Sequence, residues 1–365
     1  MERKYSSVHY SDYLELDRVL TSQNLRSVEL GNPAHDEMLF IIIHQVYELW
    51  FKQILHELDS VLDNFHTIED DETIVGIAIA RLNRVTEIQK VMIEQIRVLD
   101  TMTPLDFLDF RNYLIPASGF QSFQFRLVEI KLGLRPHTRL TYNDKSYNVV
   151  FTEERQKMLK DLETTKSLFD LVEGWLERTP FLEFENFNFK EQYLIAVDKM
   201  VERERQAIEQ TEYLPDDAKL IRLRMLNESK AYIESSMDEE KHNELVKNGE
   251  VRLSYKATIA ALLINLYRDE PILRGPYNLL NKISEMDEQF TMWRHRHSQM
   301  VMRMIGRKMG TGGSSGYEYL KKTAEQHQIF KDLHNISTLM IPRSDLPILP
   351  EILKEKLNFA FKAGQ

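Results

Sequence analysis

Two histidines near the end of a long helical stretch, residues 286–305, are the first candidates for chemistry. His295 and His297 are two residues apart, so on a helix they point about 200° away from each other and cannot face one site. His297 shares its face with Arg294, Val301 and Met304. A neutral imidazole on such an apolar stripe is a candidate axial ligand for a metal or a haem iron, but a core histidine bonded to a backbone carbonyl gives the same pattern.

A third histidine, His44, lies in another long helical segment, residues 33–65. It belongs to an apolar stripe with Phe40, Tyr47 and Phe51, which follow the helical spacing. Burying an unpaired imidazole there would cost about 1–3 kcal/mol. His44 therefore needs a partner, which is a backbone group, a water molecule or a ligand.

Arg111 stands between Phe107 and Leu114 on one face of a short helix that Pro116 ends. A guanidinium group is rarely buried without a counter-ion. Arg111 therefore either pairs with a structural carboxylate or binds an anionic ligand. The small residues Ser118–Gly119 at the next turn permit the backbone to approach another group closely.

A glycine-rich loop follows the helix that carries His297. Residues 310–316 include four of the thirteen glycines in the chain. They do not form a phosphate loop, because no Gly-Lys-Ser/Thr follows and the segment leaves a helix. An ordinary helix connection needs one glycine, so the loop is interpreted as a mobile cover over a ligand, with Thr311 offering its hydroxyl and amide.

The composition limits the possible chemistry. The 365 residues carry a net charge of −10, which argues against a nucleic-acid or anionic-membrane partner. There is no cysteine, so disulfides, zinc–thiolate sites and iron–sulfur clusters are excluded. The N-terminus has no apolar signal segment, and no apolar run approaches the roughly 20 residues of a membrane span. We expect a cytoplasmic protein.

The elements that position these residues are predicted to be helices. Glycine and proline are scarce, and long segments follow the helical period, which together indicate an all-α protein. Helices are predicted over residues 33–65, 71–99, 103–116, 120–131, 152–178, 189–210 and 257–268, with a break at residues 271–276. Residues 134–151 are irregular, with a turn at Asn143–Asp144 between two short extended pieces.

The chain is predicted to be a single domain spanning residues 1–365, because no repeat or low-complexity linker divides it. Residues 1–30 form an N-terminal arm with Tyr10 and Tyr13 on one side of a short amphipathic helix. Residues from about 213 to 255 are rich in Lys and Glu and are interpreted as a peripheral helical insertion.

Four long blocks of the sequence, taken together, resemble the haem-dependent tryptophan 2,3-dioxygenases. They occur in the order found in that family and cover nearly the whole chain. The blocks are HDEMLFIIIHQVYELWFKQILHELDSV from His35, LDFLDFRNYLIPASGFQSFQFRLVE from Leu105, WRHRHSQMVMRMIGRKMGTGGSSGYEYL from Trp293 and NISTLMIPR from Asn335.

The resemblance implies a role for each candidate. His297 matches the proximal ligand of haem b, and His44 matches the distal histidine beside the substrate indole N–H. Arg111 matches the arginine that binds the substrate carboxylate, and Thr311 the residue that contacts the ammonium and carboxylate groups. The residues that match the lining of the indole and oxygen pocket are Phe40, Phe107, Leu114, Ser118 and Gly119. One departure is His295, where family members often have Tyr.

The resemblance also implies a reaction and an assembly. Both atoms of O₂ would be inserted across the C2–C3 bond of the indole of L-tryptophan, giving N-formylkynurenine, the first step of the kynurenine route of tryptophan breakdown. Tyr10 and Tyr13 match tyrosines that complete the pocket of an adjacent subunit, which implies a homotetramer, a dimer of dimers with exchanged arms.

Three other functions stay open on the sequence. A related haem mono-oxygenase acting on a tryptophan or indole derivative would add one oxygen atom instead of two. A helical scaffold protein would contain no cofactor. A non-haem iron enzyme is disfavoured, because the inward histidines lack a neighbouring carboxylate at the spacing of a facial triad.

Overall fold

The computed structural model describes residues 7–67, 73–140, 146–180, 182–184, 187–310 and 316–358. The α-helices in these ranges are α1 Tyr10–Tyr13, α2 Leu16–Leu20, α3 Arg26–Glu29, α4 Glu37–Thr67, α5 Thr73–Leu99, α6 Pro104–Arg111, α7 Phe123–Leu132, α8 Glu153–Glu163, α9 Leu168–Glu177, α10 Phe189–Gln210, α11 Asp216–Met237, α12 Glu239–Lys247, α13 Tyr255–Leu266, α14 Pro271–Ile305, α15 Gly316–Gln326, α16 Lys331–Asn335 and α17 Glu351–Leu357.

Short elements connect these helices. The 3₁₀ turns are Asn112–Leu114, Gly119–Gln121, Pro136–Thr138, Ile336–Leu339 and Arg343–Asp345. Two strands, β1 Glu183–Phe184 and β2 Phe187–Asn188, pair in antiparallel register with Glu183 opposite Asn188. The prediction of an all-α protein is confirmed.

Three long helices form the scaffold. Helix α5 packs against both α4 and α14, and α15 returns along α14. Polar groups fix these contacts: Gln89 Nε2 donates to the carbonyl of Met286 at 2.9 Å, and Tyr47 donates its hydroxyl to the carbonyl of Met92 at 2.7 Å. A continuous core of buried apolar residues extends from Phe51 in α4 to Leu357 in α17. The helices that carry His44 and His297 are thus held at fixed positions.

The predicted break at residues 271–276 is wrong, because α14 runs without interruption through it. Pro271 occupies the first helical position, where its missing N–H would have no intrahelical acceptor. Pro276 lies inside the helix near its start. The next residue to the N-terminal side, Gly275, packs close to α5, where a Cβ would lie 3.5 Å from Val75 Cγ1.

The start of α4 also differs from the prediction. The helix is predicted from residue 33, but it begins at Glu37. Before it, the side chain of Asn32 donates to the hydroxyl of Tyr113 at 3.0 Å. The buried carboxylate of Glu37 accepts the amides of Arg26 and Ser27, both at 2.9 Å, and so fixes α3 against the start of α4.

Local capping signals give a mixed result. The predicted start of α6 is confirmed, since Thr103 and Asp106 form a reciprocal capping box before the helix. The single helix predicted over residues 152–178 is wrong. It is divided into α8 and α9, because Ser167 and Asp170 form a second capping box that begins a new helix.

The region of the predicted insertion consists of α11 and α12, which pack on α10 and α13. In α11, only Ile233, Ser236 and Met237 near its end are buried. The turn predicted at Asn143–Asp144 lies outside the described residues, and the described residues on either side form no strand. Across the described ranges, no helix has both the length and the apolar content that crossing a bilayer requires.

Candidate active site

A cavity of about 310 Å³ lies between the long helices, within the size range of small-molecule sites. Its walls come from α4, α5, α6, α7, α14 and α15. The cavity brings together seven of the residues singled out from the sequence, namely Phe40, His44, Phe107, Arg111, Ser118, Gly119 and His297.

His297 lies on the side of α14 that faces this cavity. Its ring stacks on Trp293, with 5.7 Å between centroids and 22° between planes. Burial, with a smaller contribution from the nearby His44, lowers the pKa of His297 to about 4. No residue that the structure describes forms a hydrogen bond with the ring of His297. It is therefore a neutral imidazole available to a ligand.

His295 lies on the other side of α14, as the spacing predicts. It is exposed, and its Nε2 is 3.0 Å from Nε2 of Gln299 one turn further along. The two histidines therefore face different surroundings, and only His297 is placed to bind a group in the cavity.

His44 enters the cavity from α4 with a defined tautomer. Its Nδ1 lies 2.6 Å from the carbonyl oxygen of Phe40, one turn earlier. Because a carbonyl only accepts, the neutral ring carries its hydrogen on Nδ1 and leaves Nε2 as an acceptor. Burial lowers the pKa of His44, opposed by the Phe40 carbonyl and the charge of Glu48. His44 is thus a neutral acceptor for an N–H group.

Arg111 ends α6 at the edge of the cavity and is half-buried. Its Nη2 donates to the backbone carbonyl of Met309. No carboxylate in the described part of the chain lies within ion-pair distance of it, which leaves the guanidinium group able to bind an anion. Of the two roles that the sequence left open, a structural ion pair has no support in these ranges.

Aromatic rings line the cavity beside His44 and Arg111. Phe40 lies 5.6 Å from Phe107 and 5.5 Å from Phe110 between ring centroids, and it also contacts His44 at 4.1 Å. These contacts give an apolar surface suited to a flat aromatic ligand.

Ser118 and Gly119 border the same cavity at the start of the second 3₁₀ turn after α6, Gly119–Gln121. Leu114 does not line the cavity. It packs against the buried apolar cluster that includes Ile43 and Phe110, since the helix ends at Arg111 and the tighter 3₁₀ turn changes the direction of the next side chains.

Two further predicted site residues are not brought to the cavity. Tyr10 and Tyr13 in α1 are 71% and 77% exposed, and neither is among the residues that line it. Thr311 lies outside the described residues.

The far end of the cavity is polar and was not recognised in the sequence. Arg126, Glu129, Arg294 and His327 line it, and all four are buried. The i, i+3 spacing of Arg126 and Glu129 on α7 signals a pair, and Arg294 precedes His297 by three residues on α14. His327 comes from the turn after α15, and no local pattern relates it to the others.

The donors in the cavity fit a haem better than a bare metal ion. A haem iron requires one protein ligand, whereas a bare ion bound by protein requires about three or more. Within the ranges given above, no cluster of three or more His, Cys, Asp or Glu side chains could hold an ion. His297 offers the one neutral imidazole that a haem needs, in a largely apolar cavity.

The fold and this cavity define an all-α protein with a largely apolar small-molecule site and an arginine able to bind an anion. Comparison with known proteins makes the relationship specific. The family model described as "Tryptophan 2,3-dioxygenase" matches residues 1–340. The chain belongs to the tryptophan 2,3-dioxygenase family.

Individual relatives agree over nearly their whole length. The tryptophan 2,3-dioxygenase of Bdellovibrio bacteriovorus is 49% identical over 358 residues, covering 98% of this chain and 100% of the relative. That of Dictyostelium discoideum is 48% identical, covering 97% and 89%. Tryptophan 2,3-dioxygenase B of Danio rerio is 46% identical, covering 94% and 85%.

Proposed function

We propose that this chain catalyses the haem-dependent insertion of both atoms of O₂ across the C2–C3 bond of the indole of L-tryptophan, giving N-formylkynurenine. Family membership supports the reaction. The observation that carries the assignment is the pairing of two neutral histidines in one cavity, one available to iron and the other oriented as an acceptor.

His297 would hold the iron of haem b through a ring nitrogen. Its low pKa keeps it neutral, as a ligand must be, and its stacking on Trp293 limits rotation of the ring. When bound, the haem supplies the iron that activates O₂. The protein contributes binding, orientation and exclusion of water.

Arg111 would bind the carboxylate of tryptophan through paired N–H donors, a geometry that Lys cannot reproduce. To do so it exchanges or shares its contact with the Met309 carbonyl. His44 would accept the indole N–H at Nε2, and Phe40 and Phe107 would contact the ring faces. Together these contacts fix both ends of the substrate, so that one edge of the indole is presented for reaction.

We extend the proposal to the assembly. Tyr10 and Tyr13 are exposed in the described part of the arm, which is bonded to α4 through Gln23 and Gln45, 2.7 Å apart. This arrangement supports a homotetramer in which each arm completes the pocket of an adjacent subunit. A contact from Thr311 to the substrate, a single domain over residues 1–365 and a cytoplasmic location stay predictions.

Isotope labelling tests the reaction. The purified protein, reduced and supplied with L-tryptophan and ¹⁸O₂, is expected to give a product that carries two labelled oxygen atoms by mass spectrometry. A product with one labelled atom would assign the chain to the mono-oxygenase alternative. Unchanged tryptophan in a protein that contains haem would contradict the proposed substrate.

A further inference from the structure

We propose that the polar end of the cavity, formed by Arg126, Glu129, Arg294 and His327, binds a carboxylate group of the haem. We call these four residues the arginine cluster. The inference rests on the proposed function, since it presumes that haem occupies the cavity. It assigns a role to residues that neither oxygen chemistry nor substrate binding requires.

The arginine cluster contains more positive than negative charge. Glu129 is contacted by three guanidinium groups: Nη1 of Arg126 at 2.7 Å, Nη1 of Arg139 at 2.5 Å and Nη2 of Arg294 at 3.1 Å. Every one of these side chains is less than 10% exposed. One carboxylate therefore faces three cations in a region from which water is largely excluded, where charge imbalance is costly.

The nearest further acid does not remove this excess. Asp287 acts electrostatically on Arg294, but its two oxygens accept the backbone amides of Ile329 and Phe330 at 3.2 and 3.0 Å. Burial raises the pKa of Asp287. For Glu129, burial opposes ionisation too, but its three arginines hold the pKa well below the usual value. The cluster stays positive overall.

The unsatisfied polar atoms of the arginine cluster are donors. Nε of Arg126 is buried and has no hydrogen-bond partner in the described structure. Arg139, which stacks on Tyr147 and does not line the cavity, has two further unpaired donors, Nε and Nη2. Nε2 of His327 accepts the amide of Leu140 at 3.3 Å, so the neutral ring carries its hydrogen on Nδ1. That Nδ1 is 3.8 Å from Glu129, too far for a hydrogen bond.

A ligand that satisfies this region must bring acceptors and negative charge. A carboxylate supplies both, and it forms strong paired bonds with guanidinium groups. Arg294 is three residues before His297 on one side of α14, so a group bound at His297 lies within one helical turn of the cluster. The substrate carboxylate has its own cation at Arg111, which bonds to Met309 and not to the cluster.

Haem and its dimethyl ester, in which both carboxylates are masked, provide the test. The full chain is loaded with each, and the rate of cofactor release to excess apomyoglobin is followed by absorbance. The wild type is expected to release the ester at least about tenfold faster than haem. Arg126→Gln is expected to release haem at least about tenfold faster than the wild type does, and to release the ester at the wild-type ester rate.

Two further variants make the result specific. Arg126→Lys keeps the charge and is expected to recover part of the preference for haem over the ester. If Arg126→Gln does not fold, the Lys variant still tests the inference. Arg111→Gln, on another wall of the cavity, is expected to keep the wild-type ratio of the two release rates.

Three outcomes would overturn the inference. One is that Arg126→Gln accelerates release of haem and ester by the same factor. Another is that the wild type releases haem and ester at the same rate, while inorganic phosphate raises the Tm of the wild type but not that of Arg126→Gln. That result would make the cluster a site for free anions. Equal retention of the two cofactors with no effect of phosphate would also overturn it. A wild type that binds neither cofactor would instead contradict the proposed function.

Discussion

Two side chains of α14 that line the cavity, Trp293 and Arg294, are fixed by contacts with other helices, whereas His44 of α4 and Arg111 of α6 present polar groups with few contacts in the described structure. On α14, Trp293 is packed among Tyr47, Phe51 and Phe125, with ring centroids 5.2–6.0 Å away. Arg294 is bonded to Glu129 and to the carbonyl of His327. These contacts fix the α14 wall before any ligand is bound.

On the α4–α6 wall, Arg111 bonds only to a backbone carbonyl, and Nε2 of His44 has no partner within the described ranges. The contrast indicates that the two walls bind different groups. The rigid α14 wall suits a cofactor that stays bound, and the α4–α6 wall suits a substrate that must bind and leave. Five changes test this comparison, from the largest expected effect to the smallest.

Replacing the proposed iron ligand removes the function of the α14 wall. His297→Ala is expected to yield folded protein without tightly held haem and without turnover, because no other described side chain on α14 offers a neutral imidazole to the cavity. Haem content is measured by absorbance after gel filtration. The matched control is His295→Ala on the exposed side of the same helix, which should retain haem. Full haem and normal turnover in His297→Ala would assign the ligand elsewhere.

Removing the acid of the arginine cluster tests the rigidity of the α14 wall. Glu129→Gln leaves three buried guanidinium groups without a carboxylate and is expected to lower the free energy of unfolding by about 3–5 kcal/mol. Chemical denaturation measures this change. Glu94→Gln removes an exposed pair with Arg97 and is expected to cost less than about 1 kcal/mol. Equal effects of the two substitutions would show that the cluster does not stabilise the wall.

Arg111→Leu tests the anion-binding group of the α4–α6 wall. The activation free energy measured by kcat/KM for L-tryptophan is expected to rise by about 2–5 kcal/mol, because a desolvated charge pair is lost. Tryptamine, which lacks the carboxylate, serves as the matched substrate and should be used equally by variant and wild type. If the wild type used tryptamine as well as tryptophan, Arg111 would not bind the carboxylate.

His44→Ala removes the acceptor for the indole N–H and is expected to lower kcat/KM by about tenfold while haem is retained. Because the pKa of His44 is lowered from 6.5, Nε2 stays unprotonated at neutral pH. The wild-type profile of kcat/KM should therefore be flat above pH 6.5 and fall only at lower pH, as Nε2 gains a proton. His56→Ala, exposed on the same helix, is the control. A His44→Ala variant that keeps the same acid limb would remove His44 from this role.

The smallest effect is expected from the arm. Replacing both Tyr10 and Tyr13 with Ala is expected to raise KM for tryptophan roughly fivefold, because apolar contact with the substrate pocket of an adjacent subunit is lost. This change corresponds to about 1 kcal/mol of binding free energy. Tyr213→Ala, at a position that is 95% exposed, is the control. An unchanged KM in the double variant would leave the arm with a packing role only.

What the sequence reveals about the two walls depends on how local the signals are. The opposite orientations of His295 and His297 follow from two residues on one helix, and the start of α6 follows from Thr103 and Asp106. The start of α4 does not follow from neighbouring residues, because Asn32 is bonded to Tyr113, 81 residues away. The continuation of α14 past Pro276 likewise depends on the packing of the whole helix.

The arginine cluster shows where sequence reasoning ends. Arg294 and Glu129 are 165 residues apart, and His327 joins them from a third element. No periodicity relates such residues, and each reads alone as a solvated charge or a core histidine. By contrast, Phe40, His44, Phe107 and Arg111 occur in short patterns on two helices, so most of the α4–α6 wall was open to prediction.

The most direct test of the account is the absorbance spectrum of the reduced protein under O₂, with and without L-tryptophan. A haem bound by His297 beside a substrate site at His44 and Arg111 predicts a Soret band that changes when L-tryptophan is added, as N-formylkynurenine accumulates. A colourless protein, or a Soret band that L-tryptophan leaves unaltered with no product formed, would contradict it.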